Sequence, residues 1–311
     1  MDIAVWMEKF DQGDVRALSK IITCLENSNG LIPDAVKPIF SRTGNAYRIG
    51  ITGPPGAGKS TLVDGLCNLY RKKQLSIGVI AVDPTSPFSG GALLGDRVRM
   101  TRVGFDAGIY VRSMATRGTL GGLAEAALDA ADVLDAFGKD IVILETVGVG
   151  QSELDIARAA DSTVVVLVPE SGDGVQAMKA GLMEIGDLFV LNKADRPLAD
   201  RAVQEIEAAL DLKREHAIWN PPVIPTIASR GEGLDKLIDA LDKHRITLQE
   251  SGALEVKRIN RRKERIRQIA ERELRRRLWS DPRLRLLDKN VEAEENPFAA
   301  AHKLIDDFLK G

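Results

Sequence analysis

Gly53-Pro-Pro-Gly-Ala-Gly-Lys-Ser60 decides how this chain is read. It follows a short apolar run, Arg48 to Thr52, and opens a pattern of Leu62, Leu66 and Leu69 at helical spacing. Strand, glycine-rich loop and helix in that order form a phosphate-binding loop. Phosphates are bulky and multiply charged, so the backbone must come close and present several N–H donors. Gly53, Gly56 and Gly58 carry no Cβ and adopt the tight conformations this needs. The helix that follows adds its unpaired N–H groups and the positive end of its dipole. Lys59 is expected to reach the β- and γ-phosphates, and Ser60 to offer its hydroxyl to Mg²⁺. The backbone of Ala57 and the side chain of Thr61 complete the cradle. The plain alternative, a turn that only joins strand to helix, does not call for the full G-x4-G-K-[ST] pattern.

Outward from this loop the chain alternates strands with helices. Apolar runs at Ser76 to Val82, Gly108 to Val111, Asp140 to Leu144, Ser162 to Val168, Leu188 to Leu191 and Val223 to Ile227 read as strands. Helical patterns separate them, among them Leu120 to Phe137 and Leu234 to Leu248. Strands that are apolar on both faces predict an α/β fold with a mostly parallel sheet covered by helices on both faces. Ligands bind beyond the carboxyl ends of such strands. The polar residues Asp83, Glu145 and Asn192 fall at those ends. Residues 1–44 read as a helical extension, 45–248 as the nucleotide-binding domain and 249–311 as a helical arm.

Asn192-Lys-Ala-Asp195 identifies the base. The Asp195 carboxylate accepts from the N1–H and exocyclic amine of guanine, and adenine leaves it unpaired. Asn192 is expected to tie this loop to the phosphate loop, and Lys193 to cover the base with its stem. The turn Ile227-Ala-Ser-Arg-Gly-Glu-Gly233 is expected to close over the base. There Ala228 would supply an N–H to the guanine oxygen, with Ile227 and Ser229 beside it. Asp83, Asp96 and Glu145 are candidate Mg²⁺ carboxylates, because Mg²⁺ prefers oxygen ligands. Helix caps, turns and surface ion pairs are their plain alternatives. Glu145-Thr-Val-Gly148 fits a loop that senses the γ-phosphate through the Gly148 N–H. Gln151 is a candidate for orienting the attacking water.

Composition sets the frame. The 311 residues are 44% hydrophobic and 28% charged, with a formal net charge of −2. That is ordinary for a globular protein with a sizeable core, and nothing global points to nucleic acid. Cys24 and Cys67 lack metal-ligand spacing and read as thiols in a reducing compartment. No run reaches membrane-spanning length and the start lacks a signal-peptide pattern, so a cytoplasmic protein is expected. The last third differs. Lys257 to Arg285 holds thirteen Lys or Arg against four Asp or Glu. Ile259, Ile266, Ala270, Leu274 and Leu278 form an apolar stripe, which reads as a packing or dimerisation helix with a basic face. Trp279 is its only aromatic, which makes nucleic-acid binding unlikely.

These stretches resemble a known family. Ile51-Thr-Gly-Pro-Pro-Gly-Ala-Gly-Lys-Ser-Thr61, Val82-Asp-Pro-Thr-Ser-Pro87, Gly90-Gly-Ala-Leu-Leu-Gly-Asp-Arg-Val-Arg-Met100, Arg112-Ser-Met-Ala-Thr-Arg-Gly118 and Glu145-Thr-Val-Gly-Val-Gly-Gln-Ser152 are similar to the MeaB/ArgK family of G-protein chaperones of coenzyme B12-dependent acyl-CoA mutases. The resemblance spans nearly the whole chain. It implies a P-loop GTPase that uses Mg²⁺ and GTP to gate adenosylcobalamin loading and to protect or reactivate a mutase. It implies a homodimer held by the C-terminal arm, and no cobalamin bound by this chain itself. It places Asp83 and Asp96 in a first switch, Glu145 to Gln151 in a second, and Asp173 and Lys179 in a third that answers to the mutase. The base-closing turn of the family is usually Ser-Ala, and here it reads Ile227-Ala228. Competing readings are a GTPase metallochaperone, a P-loop kinase and a nucleic-acid-associated GTPase. Three His and two Cys without a cluster disfavour the first, and a kinase has no use for Asn192 to Asp195.

Overall fold

The computed structural model describes residues 3–27, 33–83, 106–115, 125–146, 152–169, 181–211, 218–279, 287 and 296–310. Among them seven strands form one sheet: β1 (Tyr47–Thr52), β2 (Ile77–Asp83), β3 (Ile109–Ala115), β4 (Ile141–Glu145), β5 (Ser162–Leu167), β6 (Leu188–Asn192) and β7 (Val223–Thr226). Their order is β3-β2-β4-β1-β5-β6-β7, and every pairing is parallel. Alternate residues of each strand serve different faces. Ile49, Ile51, Ile141, Ile143, Val164, Val166, Leu188 and Val190 share one apolar cluster. Their neighbours Val142 and Leu144 join a second, and Val165, Leu167, Phe189 and Leu191 a third. Both faces are therefore buried, which is why the strands read as continuous apolar runs.

The first face is covered by α3 (Lys59–Lys72) and α8 (Leu234–Glu250), whose Leu62, Leu66, Leu237 and Leu241 enter that cluster. The N-terminal helices α1 (Ile3–Asp11) and α2 (Val15–Asn27) share the second cluster with α4 (Glu125–Ala136) and with Ile156 of α5 (Ser152–Ala159). Asp14 caps α2: its Oδ1 accepts the Arg16 N–H at 2.6 Å. The third cluster holds α6 (Leu182–Ile185) and α7 (Ala199–Asp211).

Strand ends shift from the expectation, by most at β3. β3 continues through Arg112 to Ala115, because the Arg112 guanidinium finds Glu26 of α2 at 2.7 Å. Glu145 closes β4 rather than following it, in register with Ile51 of β1 and Ala81 of β2. Beyond α8, a break at Ser251 and Gly252 leads to α9 (Ala253–Leu278), and α10 (Pro297–Lys310) ends the described chain. The chain divides into two compact units, Met1–Arg258 and Ile259–Gly311. In the second unit Ile259, Ile266, Ile269 and Leu274 are exposed, while Ala300 and Leu304 are buried.

Candidate nucleotide site

The loop after β1 lies where the central strand ends. Gly53 has φ +134°, and a Cβ there would stand 2.1 Å from the carbonyl oxygen of Val166. A side chain at this position would push the loop away from β5. Gly58 has φ +91°, and a Cβ would meet Asn192 Nδ2 at 2.3 Å. These two glycines let the loop pass between β5 and the base-reading segment. Lys59 opens α3, is buried, and donates to the carbonyl oxygens of Gly53 at 2.7 Å and Pro54 at 2.9 Å. The ammonium is thus held inside the curl of the loop.

Ser60 follows, and its hydroxyl donates to Glu145 Oε1 at 2.5 Å. Strand register brings this pair together from residues 85 positions apart. The backbone of Thr146 continues the join by donating to the Ile51 carbonyl at 3.1 Å. A hydroxyl and a carboxylate at the mouth of a phosphate loop are a hard-oxygen donor set, which fits Mg²⁺. Asp83 ends β2 on the same sheet edge, paired in register with Ala115.

Asn192 joins the phosphate loop to the base end. Buried at the end of β6, it donates from Nδ2 to the Ala57 carbonyl at 2.7 Å. Its Oδ1 accepts from the Thr226 hydroxyl at 3.1 Å and from the Ala228 N–H at 3.0 Å. The expected link to the phosphate loop is therefore present. The Ala228 N–H, expected to serve the guanine oxygen, here donates to Asn192 Oδ1, an amide oxygen that accepts two donors. Lys193 takes φ +59° and donates from Nζ to the Gly56 carbonyl at 2.8 Å. Its stem therefore bridges from the base-reading loop to the phosphate loop. Asp195 stands partly exposed, 3.5 Å from Arg230 of the closing turn. That turn is a short 3₁₀ segment, Ala228–Arg230, which carries the exposed Ser229 and is pinned by the Ile227 N–H to the Glu232 carbonyl at 3.0 Å. Ile227 contributes this backbone pairing.

Asp96, Gly148, Gln151, Asp173 and Lys179 lie outside the described residues. The structure adds residues that the motifs did not mark. Thr226 ends β7 as a buried hydroxyl on Asn192. Glu153, in the first turn of α5, is buried; burial pushes its carboxyl above the ordinary range, while Lys59 pulls it back down. α5 runs against β1, with Ile156 packed on Gly50. Glu153 lies one turn from Ile156 on the same helix face, toward the phosphate loop. Its signal in the sequence was only its nearness to Gln151.

Residues 18–283 match the family model described as "Methylmalonyl Co-A mutase-associated GTPase MeaB". A putative GTPase of Pyrococcus abyssi is 46% identical over 98% of this chain and 96% of its own length. The GTPase ArgK of Escherichia coli is 35% identical over 88% of this chain and 85% of its own. A mouse protein described as "Methylmalonic aciduria type A homolog, mitochondrial" is 40% identical over 68% of this chain and 52% of its own. Among solved structures, one described as a LAO/AO transport system kinase superposes with a TM-score of 0.71 at 27% identity, covering 99% of this chain and 98% of that one.

Proposed function

This chain belongs to the MeaB family of GTPases, and we propose that it acts as a GTP-driven chaperone of a coenzyme B12-dependent acyl-CoA mutase. In this reading it gates adenosylcobalamin loading and protects or reactivates the mutase. The observation that carries the reading is Asn192, one side chain bonded both to the phosphate loop and to the base-closing turn. Base recognition and phosphate binding are then one rigid unit, as a guanine-selective switch requires. The family description, which couples the GTPase to methylmalonyl-CoA mutase, supports the choice of partner.

The chain's own residues divide the work. Asp195 accepts the N1–H and amine of guanine, and Lys193 lies along the base. Lys59 exchanges the Gly53 and Pro54 carbonyls for β- and γ-phosphate oxygens. Ser60 and Glu145 would hold Mg²⁺, with Asp83 and Asp96 as further carboxylates from the first switch. Mg²⁺, when bound, neutralises charge on the phosphates. Gly148 donates to the γ-phosphate, and Gln151 orients the attacking water. Loss of the γ-phosphate releases these contacts, and Asp173 and Lys179 pass the change to the mutase. Hydrolysis by the protein alone is slow, because the charge-stabilising group is completed on the partner. The exposed apolar residues of α9 support a homodimer formed through the arm.

The test is adenosylcobalamin uptake by apo-methylmalonyl-CoA mutase, followed by absorbance with this protein and GTP, GDP or a non-hydrolysable analogue. Uptake that depends on the nucleotide is expected. Uptake indifferent to the protein and to the nucleotide would overturn the proposal.

A further inference from the structure

Arg230 sits on the closing turn, where the sequence reading gave it no role of its own. One of its guanidinium nitrogens lies 3.5 Å from Asp195 Oδ2, and the other 3.9 Å from Glu232 Oε1. A guanidinium presents two parallel N–H donors to a carboxylate. Guanine presents the same pattern through its N1–H and exocyclic amine. Here one guanidinium nitrogen faces Asp195 and the other Glu232, so Arg230 contests the Asp195 carboxylate with its charge and one N–H. The turn that carries Arg230 is fixed, because Ala228 is bonded to Asn192 and Ile227 to Glu232. The Arg230 side chain, 60% exposed, stands beside Asp195, with Glu232 as a second acceptor.

We propose that Arg230 is a specificity-determining residue that competes internally with guanine for the Asp195 carboxylate. It pairs with Asp195, and guanine binding proceeds by exchange, with Arg230 passing to Glu232. This rests on the reading of Asp195 as the base-recognising carboxylate. Two consequences follow. Guanine nucleotides are bound less tightly than the pocket allows, which favours release of GDP. Discrimination against adenine is also softened, because Arg230 satisfies the carboxylate that adenine leaves unpaired.

The experiment is titration of the full-length protein with GDP and ADP, using calorimetry on wild type, R230A, E232Q, D195N and the R230A/D195N double variant. R230A binds GDP about two- to fivefold tighter, the scale of one partly exposed ion pair. Its preference for GDP over ADP widens by a similar factor. E232Q binds GDP more weakly than wild type, because the displaced arginine loses the carboxylate charge that receives it. In the D195N background R230A changes nothing, since the contested carboxylate is gone. The wild-type-to-R230A gap closes in about 1 M salt, where exposed charges are screened within roughly 3 Å. Weaker or unchanged GDP binding in R230A, or the same gain in the D195N background, overturns the proposal. If D195N keeps full guanine preference, the reading of Asp195 itself fails. If D195N loses that preference while R230A matches wild type, only the exchange fails.

Discussion

The two ends of the sheet use the same residue types for opposite purposes. At the amino end, charges are consumed by one another. Buried Arg48 meets Asp132 at 2.6 Å and Asp135 at 3.0 Å. Asp135 also accepts the N–H groups of Gly44, Asn45 and Ala46. Asp161 accepts the Arg48 N–H and the Arg258 guanidinium, each at 3.0 Å. His244 lies between Ser162 at 2.5 Å and Asp187 at 3.5 Å, with Tyr47 on the same serine and Trp219 beside the ring. That serine, histidine and aspartate form a row without access for a substrate, since Ser162 and His244 are buried. At the carboxyl end, Lys59, Ser60, Lys193 and Asp195 are held by partners a nucleotide or Mg²⁺ can replace: loop carbonyls, Glu145 and one arginine. What separates a functional charge from a structural one is therefore the kind of partner it keeps, more than its burial.

Breaking each end should give separate losses. The largest is at the amino end. D135A strands Arg48 and three backbone N–H groups, and should cost about 3–5 kcal/mol of stability in urea unfolding. GDP affinity of the folded fraction should be unchanged; a binding defect without a stability defect would erase the distinction between the ends. Next comes K59A at the other end. GTP hydrolysis should fall about 10²- to 10³-fold, the cost of losing one charge-stabilising donor. Its unfolding midpoint should stay near that of wild type, and a large drop would mean the lysine is structural. N192A should sit between the two. It cuts the bond to Ala57 and leaves the Ala228 N–H unpaired, so GDP affinity should drop by about 1–3 kcal/mol, with a smaller stability loss.

The smallest expected effect is a pH dependence at the amino end. Burial depresses the His244 imidazole below its ordinary value of 6.5, with Asp187 opposing and Lys257 reinforcing. The folded state then resists a proton that the unfolded chain accepts. This contribution is complete above pH 6.5 and is lost as pH falls below it, by at most about 1.4 kcal/mol per pH unit. H244Q should flatten the dependence of unfolding free energy on pH between 6.5 and 5. A variant that tracks wild type through that window would show that another group sets it.

The sequence disclosed the carboxyl end far better than the amino end. The phosphate loop and Asn192 to Asp195 are local patterns whose chemistry demands particular residues at fixed spacing. The strands were legible for a related reason: with both faces covered, Ile141 to Leu144 and Val164 to Leu167 must be apolar at every position. β3 was cut short because Arg112 and Ser113 look like the end of a strand until Glu26, 86 residues away, supplies the partner. Arg48 and Asp135 are 87 residues apart, so no window of sequence shows that they meet. The bond on the Ala228 N–H was hidden for a subtler reason. The turn was placed correctly, but the side chain that claims its N–H comes from another strand.

The central claim is that this GTPase answers to an acyl-CoA mutase. Its most direct test is steady-state GTP turnover by the purified protein, alone and with methylmalonyl-CoA mutase titrated in. The account predicts slow turnover alone and a saturable rise with the mutase, abolished by K59A. Turnover that is already fast alone, or that ignores the mutase while GDP binding stays guanine-selective, would contradict it.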